Sequence, residues 1–109
     1  MAMTIELLYF DGCPSREAFL PRLRELLAQA GVDAPVLQRR VESDDAAQQE
    51  RFLGSPTLRI NGVAVDPGAA QREDYGLKCR LYWTPDGLRG VPADEWVFDA
   101  LAHAAGERS

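Results

Sequence analysis

The chain is poor in the residues that build cross-linked or metal-stapled folds, with two cysteines and one histidine among 109 residues. Two cysteines cannot make a disulfide scaffold, and with only His103 beside them they fall short of a four-ligand zinc site. Positive charge is scarce too. Twelve Lys and Arg stand against 17 Asp and Glu, a net charge of −5, which argues against a nucleic-acid surface because phosphates require a basic face. No apolar run approaches the roughly 18 residues that a membrane-spanning helix needs. The start, Met1-Ala2-Met3-Thr4-Ile5-Glu6, carries neither the basic region nor the apolar stretch of a signal peptide. Cytoplasm is the expected location, with thiols reduced at rest unless their chemistry is redox. Phosphate loops, dinucleotide-binding glycine patterns and Ser-His-Asp orders are missing, so no cofactor is expected, and no nucleic-acid or membrane partner.

What is there is the composition of one globular domain over residues 1–109, 46% hydrophobic and 27% charged. Thr4–Phe10 is a short apolar run ended by Asp11-Gly12 and reads as a strand buried on both faces. Phe19, Leu20, Leu23, Leu26, Leu27 and Ala30 recur at helical spacing over 15–30, with Gly31 as the stop. Pro35–Glu42 mixes Val36, Leu37 and Val41 with Gln38, Arg39 and Arg40, as an edge strand does. Ser43 caps a second helix with Asp44 and Asp45 in its first turn, running to about Leu53 and stopping at Gly54. Thr57–Ile60, Asn61-Gly62 and Val63–Val65 form a two-residue hairpin.

Residues 67–91 read as an insertion. Within it Leu77–Trp83 is a short strand and Thr84-Pro85-Asp86-Gly87 a turn. A last helix starts at Pro92, carries Asp94 and Glu95 in its first turn, and ends at Gly106. The expected class is α/β, in the order β-α-β-α-β-β-α. The sheet is mixed and four-stranded, with helices on both faces and an insertion before the last helix.

Cys13 lies between the first strand and the first helix, in Phe10-Asp11-Gly12-Cys13-Pro14-Ser15-Arg16. Unpaired backbone N–H groups and the positive end of the helix dipole there favour a thiolate. Pro14 costs little in a first turn, and Arg16 places a positive charge near the sulfur. The bland alternative is a small buried hydrophobe. Gly54-Ser55-Pro56-Thr57 puts a proline just before the strand expected beside the first, which makes Ser55-Pro56 a candidate cis peptide and otherwise a plain helix breaker. Cys79 sits between Lys78 and Arg80. Either it packs inward with Leu77 and Leu81, or the insertion folds over and brings it to Cys13, which a disulfide would need within roughly 7 Å between Cα atoms.

These residues resemble a thioredoxin-fold protein of the small bacterial kind, similar to alkylmercury-lyase-related domains. In thioredoxins a nucleophilic cysteine ends the loop after a central strand, a cis-proline in a Gly-x-Pro-Thr segment faces it, and a proline follows eight residues into the helix. Cys13, Gly54-Ser55-Pro56-Thr57 and Pro21 stand at those places. The resemblance implies Cys13 as nucleophile, Arg16 as its stabilising charge, and a substrate groove shaped by Pro14, Ser15, Ser55, Pro56 and Thr57. Arg16 occupies the position of the second Cys-x-x-Cys thiol, so the local resolving thiol is missing and Cys79 is the candidate substitute. Alkylmercury lyases set a second cysteine some sixty residues on. Cys13 and Cys79 are 66 apart, but the lyase proton donor falls near Arg16, which cannot give up a proton, and Asp11, a conceivable replacement, does not align.

Three functions follow: thiol-dependent redox chemistry on a disulfide, electrophilic small molecule or peptide; soft-metal or organomercurial chemistry on Cys13 and Cys79; or a non-catalytic binding module. His103 reads as a dipole-complementing residue, Trp83 and Trp96 as packing or groove residues, and Asp44-Asp45 as a cap.

Overall fold

A computed structural model describes residues 3–107 of the chain. Strand β1 (Ile5–Tyr9) is followed by helix α1 (Pro14–Gln29), strand β2 (Val36–Arg40), helix α2 (Asp44–Glu50) and the hairpin of β3 (Thr57–Ile60) with β4 (Val63–Ala64). A single 3-10 turn at Ala69–Gln71 and a small hairpin, β5 (Tyr82–Thr84) with β6 (Gly87–Arg89), lead to helix α3 (Asp94–Glu107). The main sheet is mixed and four-stranded, in the order β2-β1-β3-β4. β1 runs parallel to β2 and antiparallel to β3, so the run of apolar residues in β1 lies at the centre and the charged β2 at an edge, as their compositions dictate.

Alternation along β1 divides the core in two. Ile5 and Leu7 face α1 and α3, packing with Phe19, Leu23, Leu26, Leu58, Ile60, Val97 and Leu101. Leu8 faces the other way, against Val41, Ala47 and Phe52. Arg22 on α1 bridges to Asp94 at the start of α3, joining the two helices of the first face. Arg59 on β3 donates to the Glu50 and Arg51 carbonyls, 2.5 and 3.2 Å, and satisfies the open end of α2 on the second.

The hairpin turn is as its Asn-Gly pair requires, with φ +53 at Asn61 and +81 at Gly62. Other boundaries move. α2 ends at Glu50, not near Leu53, because Arg51 adopts a left-handed conformation (φ +55) and Phe52 N–H closes onto the Ala47 carbonyl at 2.8 Å. α3 continues past Gly106 to Glu107. The insertion differs most. Leu77–Trp83 is not one strand: Tyr82–Thr84 pairs with β6 rather than the main sheet, and Cys79 makes a single isolated bridge.

Candidate functional site

Cys13 caps α1 at its N-terminus in an extended conformation, with Pro14 as the first helical residue and no side-chain cap. The sequence turns sharply here after β1, so the sulfur is delivered to the C-terminal end of the central strand beside the backbone N–H groups of the first helical turn. Its side chain is buried, 5% exposed. Across from it runs Gly54-Ser55-Pro56-Thr57. The Ser55–Pro56 peptide is cis, and the Ser55 carbonyl accepts from the Cys13 thiol at 3.5 Å.

The insertion completes the site. Ser55 forms a one-residue parallel bridge with Cys79: Ser55 N–H donates to the Lys78 carbonyl at 2.8 Å, and Arg80 N–H donates to the Ser55 carbonyl at 2.9 Å. This close pass depends on Gly54, at φ +132, where a Cβ would lie 3.0 Å from both the Lys78 carbonyl oxygen and the Arg80 Cβ. The bridge holds Cys79 Sγ 3.3 Å from Cys13 Sγ, in hydrogen-bonding contact between residues 66 apart.

Alternation in the insertion is the reverse of what its apolar residues suggest. Arg80 and Tyr82 point inward, each 2% exposed, while Cys79, Leu81 and Trp83 point out. Arg80 pairs with Asp66 beyond β4, approaches Thr57 Oγ1 at 3.4 Å and stacks over the Tyr82 ring at 4.5 Å. The Tyr82 hydroxyl donates to the Pro56 carbonyl. A buried ion pair, a cation–π contact and a phenol thus lock the segment around Cys79 to the start of β3. None of Asp66, Arg80 or Tyr82 stands out in the sequence. Arg80 looks like a surface charge until its partner, 14 residues away, is seen.

The two thiols are electrostatically unequal. Burial of the Cys13 sulfur works against ionisation, but the nearby Ser55 side chain, the Cys79 thiol and the N–H groups of Ser15 and Arg16 outweigh it, holding the Cys13 thiol below its ordinary value. The Ser55 hydroxyl is fully buried and has no well-formed hydrogen bond among the described residues, and its effect on Cys13 is to favour the thiolate. Cys79 shifts the other way. Its hydrogen bond to Cys13, then burial, then the charge on Cys13 keep it protonated above the ordinary value.

The Arg16 side chain is engaged away from the first helical turn. Its guanidinium lies over the Tyr9 ring at 4.1 Å and donates to Gln38 Oε1 at 3.0 Å, because its side chain swings back over the parallel strands; its backbone N–H contributes instead. Pro14 is exposed and Ser15 half-buried, whereas Ser55, Pro56 and Thr57 are buried beneath residues 78–82. Asp11 is exposed and paired with Arg40 at 2.8 Å. Trp83 is 78% exposed, and Trp96 packs its ring 6.0 Å from that of Tyr82. His103 is exposed on α3.

Among the described residues no third His, Cys, Asp or Glu joins the two sulfurs in a metal-holding group, and no helix is long and apolar enough to cross a membrane. No family model, curated protein or solved structure matches the chain.

Proposed function

We propose that the chain is a thioredoxin-like thiol–disulfide exchange protein whose redox pair is Cys13 and Cys79. One observation carries this: two sulfurs from distant parts of the sequence are held 3.3 Å apart, one inclined to be thiolate and the other thiol. Thiol–disulfide exchange needs a nucleophilic sulfur beside a sulfur that can be bonded and released. Supporting the thioredoxin-like part are the strand order β2-β1-β3-β4, a cysteine at the start of α1 and the proline segment 54–57 across from it. The difference from a Cys-x-x-Cys protein is that the second thiol comes from the insertion rather than the position of Arg16.

In the closing step the Cys13 thiolate attacks a mixed disulfide carried on Cys79. The Cys13–Cys79 bond forms, the bond to the outside sulfur breaks, and that sulfur leaves with the electron pair. The partner class is a low-molecular-weight or peptide thiol and its disulfide. A cycle that visits both states suits the cytoplasm, where thiols are kept reduced between turnovers. The soft-metal alternative uses the same two sulfurs, with no third His, Cys, Asp or Glu grouped with them among the described residues.

Glutathione disulfide tests the pair. The wild-type protein should end as an internal disulfide with no glutathione retained, whereas Cys13→Ser, which keeps the exposed Cys79, should stop with one glutathione attached, as mass spectrometry reads directly. Wild-type protein that retains glutathione on both cysteines, or does not react, would contradict the proposal.

A further inference from the structure

The two sulfurs differ in access as well as acidity, and the difference is the opposite of what the position of Cys13 alone suggests. Cys13 is 5% exposed, enclosed by the first turn of α1, the Ser55-Pro56 segment and Cys79 itself. Cys79 is an exposed residue of the insertion, like Leu81 and Trp83, with its sulfur covering that of Cys13. In-line attack on a disulfide requires the incoming sulfur to reach one of its two atoms, and only one of them faces solvent.

We propose that Cys79, and not Cys13, is the sulfur through which the pair exchanges with the outside, with an external thiol as the substrate of the oxidised protein. This rests on the Cys13–Cys79 pair being a redox couple. An external thiolate bonds to Cys79 Sγ, the Cys13–Cys79 bond breaks, and its electron pair goes to Cys13 Sγ. Cys13 is the better leaving group, since the Ser55 hydroxyl and the N–H groups of Ser15 and Arg16 receive the charge. A second external thiolate then attacks the outer sulfur of the mixed disulfide. It releases Cys79, which takes a proton from solvent, and two external thiols have become one disulfide. The reverse direction follows the same path: Cys79 gives its proton to solvent and attacks an external disulfide, whose S–S bond breaks to release one thiolate, and Cys13 then attacks Cys79 Sγ and displaces the second external sulfur as thiolate. The insertion is thus the working surface of the site, and the helix-capping cysteine its internal electron reservoir.

The experiment is to oxidise the wild-type protein to the internal disulfide and add glutathione or, separately, a longer cysteine-containing peptide. Acid quenching, alkylation of free thiols and peptide mapping then locate the adduct. With either thiol the adduct should sit on Cys79 and the alkyl group on Cys13, by more than about tenfold over the reverse arrangement. The faster of the two identifies a small or a polypeptide thiol as the source. An adduct mainly on Cys13, or equally on both, would overturn the assignment of Cys79 while leaving the redox pair intact. Failure to form the internal disulfide at all would remove the pair and this inference together.

Discussion

At the scale of single residues, Ser55 is the position where chemistry and stability separate. Its hydroxyl is buried without a well-formed partner, a state that costs on the order of 1–3 kcal/mol, yet it favours the thiolate of Cys13. Ser55→Ala should therefore raise the Cys13 pKa while leaving stability unchanged or slightly improved. The wild-type pair should release its protons in two steps, one on each side of the ordinary value of 9.0. Thiolate absorbance against pH reads both effects. A single step at the ordinary value, or no change in the variant, would contradict the role given to Ser55. Arg16 marks the limit of residue-level inference from sequence. Its place in the first turn of α1 was legible, but the direction of its guanidinium depends on Tyr9 and Gln38, which only the packing of β1 and β2 brings near.

At the scale of elements, β1, α1, the Asn61-Gly62 hairpin and α3 could be read because their signals are local: a continuous apolar run, helical periodicity and a turn that demands positive φ. The insertion could not. Its residues Leu77, Cys79 and Leu81 suggest an inward face, and the structure buries Arg80 and Tyr82 while leaving Cys79 and Leu81 exposed. What reverses the alternation is the Arg80–Asp66 ion pair together with the Tyr82–Pro56 hydrogen bond, long-range contacts with no local signature. Arg80→Met should leave Asp66 without its partner and destabilise the fold by about 3 kcal/mol. It should also slow closure of the Cys13–Cys79 bond, because the segment carrying Cys79 loses its anchor. Urea unfolding and the rate of internal disulfide formation measure the two. Stability lost with an unaltered closure rate would show that Arg80 does not position Cys79.

Tyr82 gives the same element a pH signature. Burial pushes its hydroxyl up from 10.0 to about 12, so folding favours the neutral phenol. That stabilisation is complete below pH 10 and is lost as the pH rises toward 12, a total of about 3 kcal/mol. Urea midpoints should fall over that range in the wild-type protein and fall less in Tyr82→Phe, which cannot ionise. Parallel falls in the two proteins would assign the loss to other groups.

At the scale of the whole molecule, a four-stranded sheet carries one cysteine at its centre, and an inserted segment carries the other to it. Three helices on two faces hold the sheet, and the insertion is tied to it chiefly through the start of β3. A bond between Cys13 and Cys79 closes a loop of 66 residues, and the lost freedom of the unfolded chain should stabilise the oxidised form by about 4 kcal/mol. The oxidised protein should unfold at higher urea than the reduced one. Equal midpoints would place the bond in a distorted native state or show that it had not formed.

The most direct test of the redox pair is a count of free thiols at equilibrium across a series of glutathione to glutathione disulfide ratios, under conditions where the protein stays monomeric. The two cysteines should disappear together in one transition, with no glutathione bound at its end. Two thiols persisting across the series, or one lost independently of the other, would contradict the pairing of Cys13 with Cys79.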